Sequence, residues 1–259
     1  MTKQNDDEFR RSSPLTRYRL APNPGPMSLD GTNSYVIGDE SGHVAIVDPG
    51  PLEEQHLAIL AGAGVVDVVL ITHRHRDHTE ASPRFHELTG APVRAADPKH
   101  CHGGEPLVDG EAISAGGTTI RVISTPGHTS DSVSFHLPYD GAHGSVLTGD
   151  TILGRGTTVL DYPDGRLGDY LASLDALEAL GPATLLPAHG PVRPAVDALC
   201  REYRAHRHQR LDQIRAALAD LGEDAGVEAV TDAVYPDVDP SVRWAAETSV
   251  AAQLDYLRS

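Results

Sequence analysis

Cysteine is scarce in this chain: Cys101 and Cys200 stand far apart and in no Cys-x-x-Cys pattern. That excludes a disulfide framework as the organising device, and a reducing, cytoplasmic setting is expected. Long apolar runs are missing too. None approaches the length that crosses a bilayer, and the opening MTKQNDDEFRRSS has no apolar core of a secretory signal. No membrane association is expected. Positive charge is also short, with 21 Lys and Arg against 37 Asp and Glu and a formal net charge of −16. A surface of that sign repels phosphate backbones on average, which disfavours strong sequence-independent nucleic-acid binding but leaves room for a local basic patch.

The 259 residues, 39% hydrophobic and 22% charged, are enough for one large domain, or for a domain of roughly 200 residues with a small appendage. Histidine is the surplus. Most of the 14 histidines sit beside Gly, Pro, Thr or Asp, where a core-packing role is hard to assign. That distribution directs attention to metal binding.

Hydrophobic patterning divides the chain. Residues 1–14 read as a flexible arm. Residues 34–38 (SYVIG) and 43–48 (HVAIVD) read as strands joined by Asp39-Glu40-Ser41-Gly42. Residues 52–63 read as a helix, and 65–72 (VVDVVLIT) as a buried strand that stops at His73. A second cycle follows, with a helix near 79–89 and strands near Val93 and over 118–124, 133–137, 145–148 and 184–186. A further helix covers 167–180. Residues 15–194 therefore read as one unit of two successive β-rich halves with helices, α/β or α+β by periodicity alone. From Pro194 the period is helical: Val196, Cys200, Tyr203, Leu211, Ile214, Leu218 and Leu221 fall on one face, and two shorter helices follow over 226–234 and 240–258. Residues 195–259 are expected to be a small helical domain resembling a helix-turn-helix. Its apolar residues Trp244, Leu254 and Leu257 could pack within the chain, cover a substrate cleft or form a homodimer contact.

The strongest signal is Thr72-His73-Arg74-His75-Arg76-Asp77-His78, which places four potential ligands within six residues just after a buried strand. A turn there fans His73 and His75 toward one point, while Asp77 and His78 face a second at the start of the next helix. His128, Asp150 and His189 also lie at strand ends or turns. Five imidazoles and two carboxylates without a thiolate suit Zn²⁺ and accommodate Mn²⁺ or Fe.

The run HRHRDH resembles the His-x-His-x-Asp-His motif of the metallo-β-lactamase superfamily, with Asp48 similar to its first motif and His128, Asp150 and His189 to its later three. The likeness extends over residues 15–195. It implies a four-layer αβ/βα sandwich in which His73, His75 and His128 hold one metal, Asp77, His78 and His189 the other, and Asp150 bridges. Asp48 would orient ligands by hydrogen bonding, against a simpler role as a strand-end turn residue. Two such metals, about 3.5–4 Å apart, would generate a bridging hydroxide near neutral pH, with Asp77 as the catalytic group that orients it and accepts its proton.

A fuller resemblance is to the beta-lactamase-like protein 2 family. It rests on Asn23-Pro24-Gly25-Pro26, Asp30-Gly31-Thr32-Asn33, Thr129-Ser130-Asp131-Ser132, Gly154-Arg155-Gly156-Thr157-Thr158, Gly168-Asp169-Tyr170-Leu171 and the helical C-terminus. It implies a metal-dependent endoribonuclease on single-stranded RNA with a winged-helix-like C-terminal domain. Arg201, Arg204 and His208, with Arg207 and Arg210 nearby, would be the basic contacts, or else a solvated helix face. Arg155 would reach a substrate phosphate or carboxylate, or serve its turn. Ser130 and Asp131 would support His128 or cap a local turn. The alternative substrate is a small acyl thioester or ester, because related enzymes resemble acyl-carrier-protein thioesterases. A metal-stabilised binding protein without activity is the third class.

Overall fold

The computed structural model describes residues 9–259. Two mixed sheets face each other. The first runs in spatial order β1 (Arg10–Arg11), β2 (Thr16–Leu20), β3 (Asn33–Ile37), β4 (His43–Val47), β5 (Val65–Leu70) and β6 (Val93–Arg94). It is antiparallel through β4, then parallel. The second has the order β11-β10-β9-β8-β7, where β7 is Ala112–Ala115, β8 Thr118–Ser124, β9 Val133–Leu137, β10 Ser145–Leu147 and β11 Thr184–Leu186. Only β10 and β11 are parallel there.

Period-two alternation explains the layering, since successive strand side chains face opposite sides of a sheet. Tyr35, Ile37, Ala45, Val47, Val68 and Leu70 meet Ile120, Val122, Phe135 and Leu147 in a core between the sheets. Their neighbours Val36, Val44, Ile46 and Val69 turn outward onto α1 (Glu54–Ala61) and α3 (Ser82–Thr89) through Leu57, Leu60 and Phe85. Val146 and Leu185 of the second sheet pack on α4 (Leu167–Glu178) and the first half of α5 (Val196–Leu221). This is the αβ/βα sandwich implied by the motif.

The sheets are also joined by main-chain bonds at the end where the strands deliver the histidines: Asn33 N donates to Ala188 O at 2.7 Å and Val133 N to Thr72 O at 2.8 Å.

Two expectations change. Residues 1–8 of the expected flexible arm lie outside the described residues, and the remainder is not loose. Arg10–Arg11 pair with Arg17 and Tyr18, and the buried Asp140 carboxylate collects the Leu15 amide at 2.8 Å and the Ser13 hydroxyl. A buried carboxylate needs such donors, and supplying them fixes the segment. The helix expected over 79–89 begins later, as α3 at Ser82, after a separate short helix α2 (Arg76–Thr79); Pro83 lies in the first turn of α3, where its missing N–H costs nothing.

Residues 195–259 are helical. Ala195, at φ +56°, precedes α5, and α6 (Val227–Val234) and α7 (Arg243–Arg258) follow. Val196, Leu199, Cys200 and Tyr203 belong to the outer core of the sandwich, while Ile214 and Leu218 pack with Val230, Val250 and Leu254. After β11 the described residues hold no strand, so the likeness to a winged helix extends to its helices only.

Candidate metal centre

β5 is buried at Leu70 and ends where the chain must turn, and the turn carries His73. His75 is the residue before α2, and its backbone oxygen accepts from the amides of His78 and Thr79. That short helix sets Asp77 and His78 one turn further on. His128 follows β8, Asp150 follows β10 and His189 follows β11. Close approach at two of these turns requires glycine. Gly127 has φ +130°, and a Cβ there would lie 2.4 Å from Tyr170 Cα; Gly149 has φ +51°, and its Cβ would meet Thr72 Cβ at 2.7 Å.

The seven side chains converge in two groups. Ligand atoms of His73, His75, His128 and Asp150 lie within 4.8 Å of one another, as do those of Asp77, His78 and His189. Asp150 stands between the groups: Oδ2 is 3.7 Å from His128 Nε2, and Oδ1 is 3.3 Å from His189 Nε2 and 3.8 Å from His78 Nε2. Asp77 Oδ2 lies 3.3 Å from His189 Nε2 and 3.4 Å from His78 Nε2, and accepts from Thr32 Oγ1 at 2.9 Å.

Each histidine has an acceptor on its outer nitrogen. His78 Nδ1 donates to Asp48 Oδ2 at 2.8 Å, His128 Nδ1 to Val159 O at 2.6 Å and His189 Nδ1 to Gly31 O at 3.1 Å. The Thr72 hydroxyl gives its proton to Asp48 Oδ2 at 2.7 Å, leaving its oxygen to accept from His73 Nδ1 at 3.1 Å. His75 Nε2 donates to Asp161 Oδ2 at 3.2 Å. The outer bonds fix the tautomers, and five lone pairs point inward.

These inward atoms crowd. His75 Nδ1 is 3.0 Å from His73 Nε2 and 3.1 Å from His128 Nε2, while buried His78 Nε2 and Asp150 Oδ1 have no hydrogen-bond partner. Lone pairs at such separations repel unless a cation lies among them, and buried acceptors left unpaired are costly. The donor set therefore fits divalent metal ions.

The electrostatics agree. Burial lowers the pKa of His73 well below the ordinary value and pushes His128 down to about 4, which keeps their lone pairs free. Burial works against ionising Asp77 and Asp150, yet the facing His78 and His189 rings hold both well below the usual carboxylate range. The reciprocal effect raises His189 to about 10 against its own burial, with Asp150 the main cause and Asp77 next. The part-buried Asp77 and the more deeply set Asp150 call for positive charge, which protons or a cation can supply.

The family model of the metallo-beta-lactamase superfamily matches residues 27–189, the span that holds all seven groups. The chain belongs to the metallo-beta-lactamase superfamily. It is 31% identical over 258 residues to a beta-lactamase-like protein 2 homolog of Caenorhabditis elegans, which covers 95% of this chain and 84% of that relative. It is 33% identical over 234 residues to an atrochrysone carboxyl ACP thioesterase of Aspergillus chevalieri, covering 86% of this chain and 72% of the relative. The crystal structure of a beta-lactamase domain protein from Burkholderia ambifaria superposes with a TM-score of 0.80 at 24% identity, over 99% of this chain and 89% of the other.

As a superfamily hydrolase, the chain carries its ligand cluster at the floor of a cleft of about 620 Å³. Pro26, Met27, Val159, Tyr162 and Trp244 form much of its wall. Trp244, on α7, is 51% exposed and Met27 43%, so apolar surface is held open above the cluster. Leu254, by contrast, packs inside the chain.

The remaining sequence candidates fall elsewhere. Asp48, at φ +50°, accepts from the Thr72 amide (2.8 Å), the Thr72 hydroxyl and His78 with one carboxylate. Ser130 donates through its amide and hydroxyl to Asp164, and Asp131 accepts from Thr129 Oγ1, so neither reaches the cluster. Arg155 is outside the cleft lining and lies 3.5 Å from Asp30. On α5, Arg201 pairs with Asp197 and Glu178, Arg204 pairs with Glu178 and Asp175, and Arg207 is buried on Thr158 O over the Tyr170 ring. Sequence reading missed Asp161 and Thr32. Asp161 sits in Asp161-Tyr162-Pro163-Asp164-Gly165, whose composition signals only a turn.

Proposed function

We propose that the chain is a metal-dependent hydrolase of acyl thioesters or esters, with His73, His75, His128 and Asp150 holding one ion and Asp77, His78, His189 and Asp150 the other. The observation that carries the acyl reading is the cleft wall. Met27, Val159, Tyr162 and Trp244 stand over the cluster, while each arginine near it is matched by acid: Arg74 with Asp161 and Asp164, Arg76 with Glu80, Arg155 with Asp30. Paired arginines offer little to a polyanion, and an apolar wall suits an acyl chain. The thioesterase name of a relative points the same way.

Bound cations would lower the pKa of solvent water and polarise the scissile carbonyl. The protein's own groups do the rest. Asp77, ionised and steadied by the Thr32 hydroxyl, orients the attacking water by accepting its hydrogen bond. The apolar wall positions the acyl group and excludes competing water. Five imidazoles without thiolate favour zinc, with manganese or iron as alternatives that elemental analysis separates. Cys101 and Cys200 are both free, which fits a cytoplasmic setting, and no helix of the described residues is long and apolar enough to cross a membrane.

Incubating metal-loaded protein with a panel of acyl thioesters and with labelled single-stranded RNA tests the assignment. Thioester turnover that disappears in Asp77→Ala, with intact RNA, is expected. RNA cleavage lost in the same variant would establish the nuclease instead.

A further inference from the structure

His75 differs from the other four histidines in two respects. It presents Nδ1 to the cluster where they present Nε2, and its side chain is 32% exposed where His73 and His78 are buried. Packing alone therefore holds its ring less firmly, and one hydrogen bond fixes its orientation: Nε2 to Asp161 Oδ2 at 3.2 Å. The same Asp161 oxygen is paired with Arg74, the residue between His73 and His75. Arg74 in turn lies 3.0 Å from Asp164, which is bound by the Ser130 amide and hydroxyl.

The segment that carries Asp161 is itself anchored. Its amide donates to His128 O at 2.9 Å, and two residues earlier Val159 O receives His128 Nδ1. From α5, Arg207 Nη2 reaches Thr158 O at 2.6 Å and Tyr203 reaches Gly156 O at 2.7 Å. A charged acceptor on a braced loop restricts an imidazole more than solvent could.

We infer that Asp161, tethered by Arg74, is a positioning residue that sets the tautomer and orientation of His75 and thereby the affinity of the ion held by His73, His75, His128 and Asp150. This rests on the metal assignment proposed above. Asp161 is also one of the residues that line the cleft.

The test titrates Zn²⁺ alone into metal-free full-length protein against a chelating competitor, with no substrate present. Asp161→Ala is expected to weaken one of two ions roughly 10- to 100-fold and to leave the other within about twofold. Asp161→Asn, which keeps an acceptor for His75, should recover much of the loss, and Arg74→Gln should show a smaller loss at the same ion. Co²⁺ bound at the weakened position should give a shifted visible spectrum. In a His75→Ala background, Asp161→Ala should add nothing. Should Asp161→Ala fail to fold, as read by circular dichroism of the metal-free protein, Asp161→Asn and Arg74→Gln decide through the same titration and spectrum. Wild-type affinity and spectrum in the folded Asp161 and Arg74 variants, or an equal loss without His75, would overturn the inference. Wild-type protein that binds no metal would overturn the proposed function instead.

Discussion

His78 Nδ1 lies 2.8 Å from Asp48 Oδ2, and the same Asp48 oxygen accepts the Thr72 hydroxyl that supports His73. One carboxylate therefore orients a histidine in each of the two ligand groups. Asp48→Ala leaves the His78 ring without its buried acceptor and frees the Thr72 hydroxyl to rotate. Both ions should bind roughly 10- to 100-fold more weakly, as chelator competition would read. Loss at a single ion would contradict the shared role.

Metal removal should cost stability as well as activity. The seven groups lie on turns contributed by both sheets, so ions bound to the native state alone stabilise it by mass action. At 100 times the dissociation constant this amounts to about 2.7 kcal/mol per site. A melting temperature that falls on chelation and returns with added Zn²⁺ is the expected result.

Trp244→Ala tests the apolar wall. A long acyl chain covering the indole would lose about 1.5–3 kcal/mol of burial, roughly 10- to 150-fold in kcat/KM, with the change in KM. An acetyl thioester too short to reach the ring should be hydrolysed as before, and metal content should be unchanged.

His56 provides a pH prediction away from the cluster. Buried beside the Ser34 hydroxyl, at 2.9 Å, its pKa is pushed down to about 4 from 6.5, chiefly by burial and then by Arg19. Between those values the unfolded chain binds a proton that the folded chain refuses. Stability is therefore full above pH 6.5 and is lost as pH falls toward 4, by roughly 3 kcal/mol in all. Urea midpoints of wild type and His56→Gln should converge across this window as pH falls.

The sandwich and the seven converging groups were legible because each ligand follows a strand or turn with its own signature. The β-branched run before His73 ends abruptly, and Gly127 and Gly149 mark tight turns, the first against the Tyr170 backbone and the second against the Thr72 side chain. Asp161 was not legible. It meets His75 across 86 positions through a loop braced by α5, and no local pattern announces such a contact. Arg207 misled for the same reason: helical spacing placed it among solvated arginines, whereas tertiary packing stacks it on Tyr170. Of the α5 arginines, Arg201 and Arg204 meet carboxylates, and Arg210 lies over the Tyr235 ring.

The bonds from Asn33 to Ala188 and from Val133 to Thr72 join the two sheets beside the reactive groups. Neither half of the polypeptide owns a whole ion site: His73 and His75 come from one sheet, His128 and Asp150 from the other, and His189 crosses back to Asp77 and His78. Two fragments cut between the halves would each lack a complete coordination sphere and one face of the shared core. Their reassembly would then be driven and reported by the ions themselves, making metal uptake a measure of whether the layers have found their correct register.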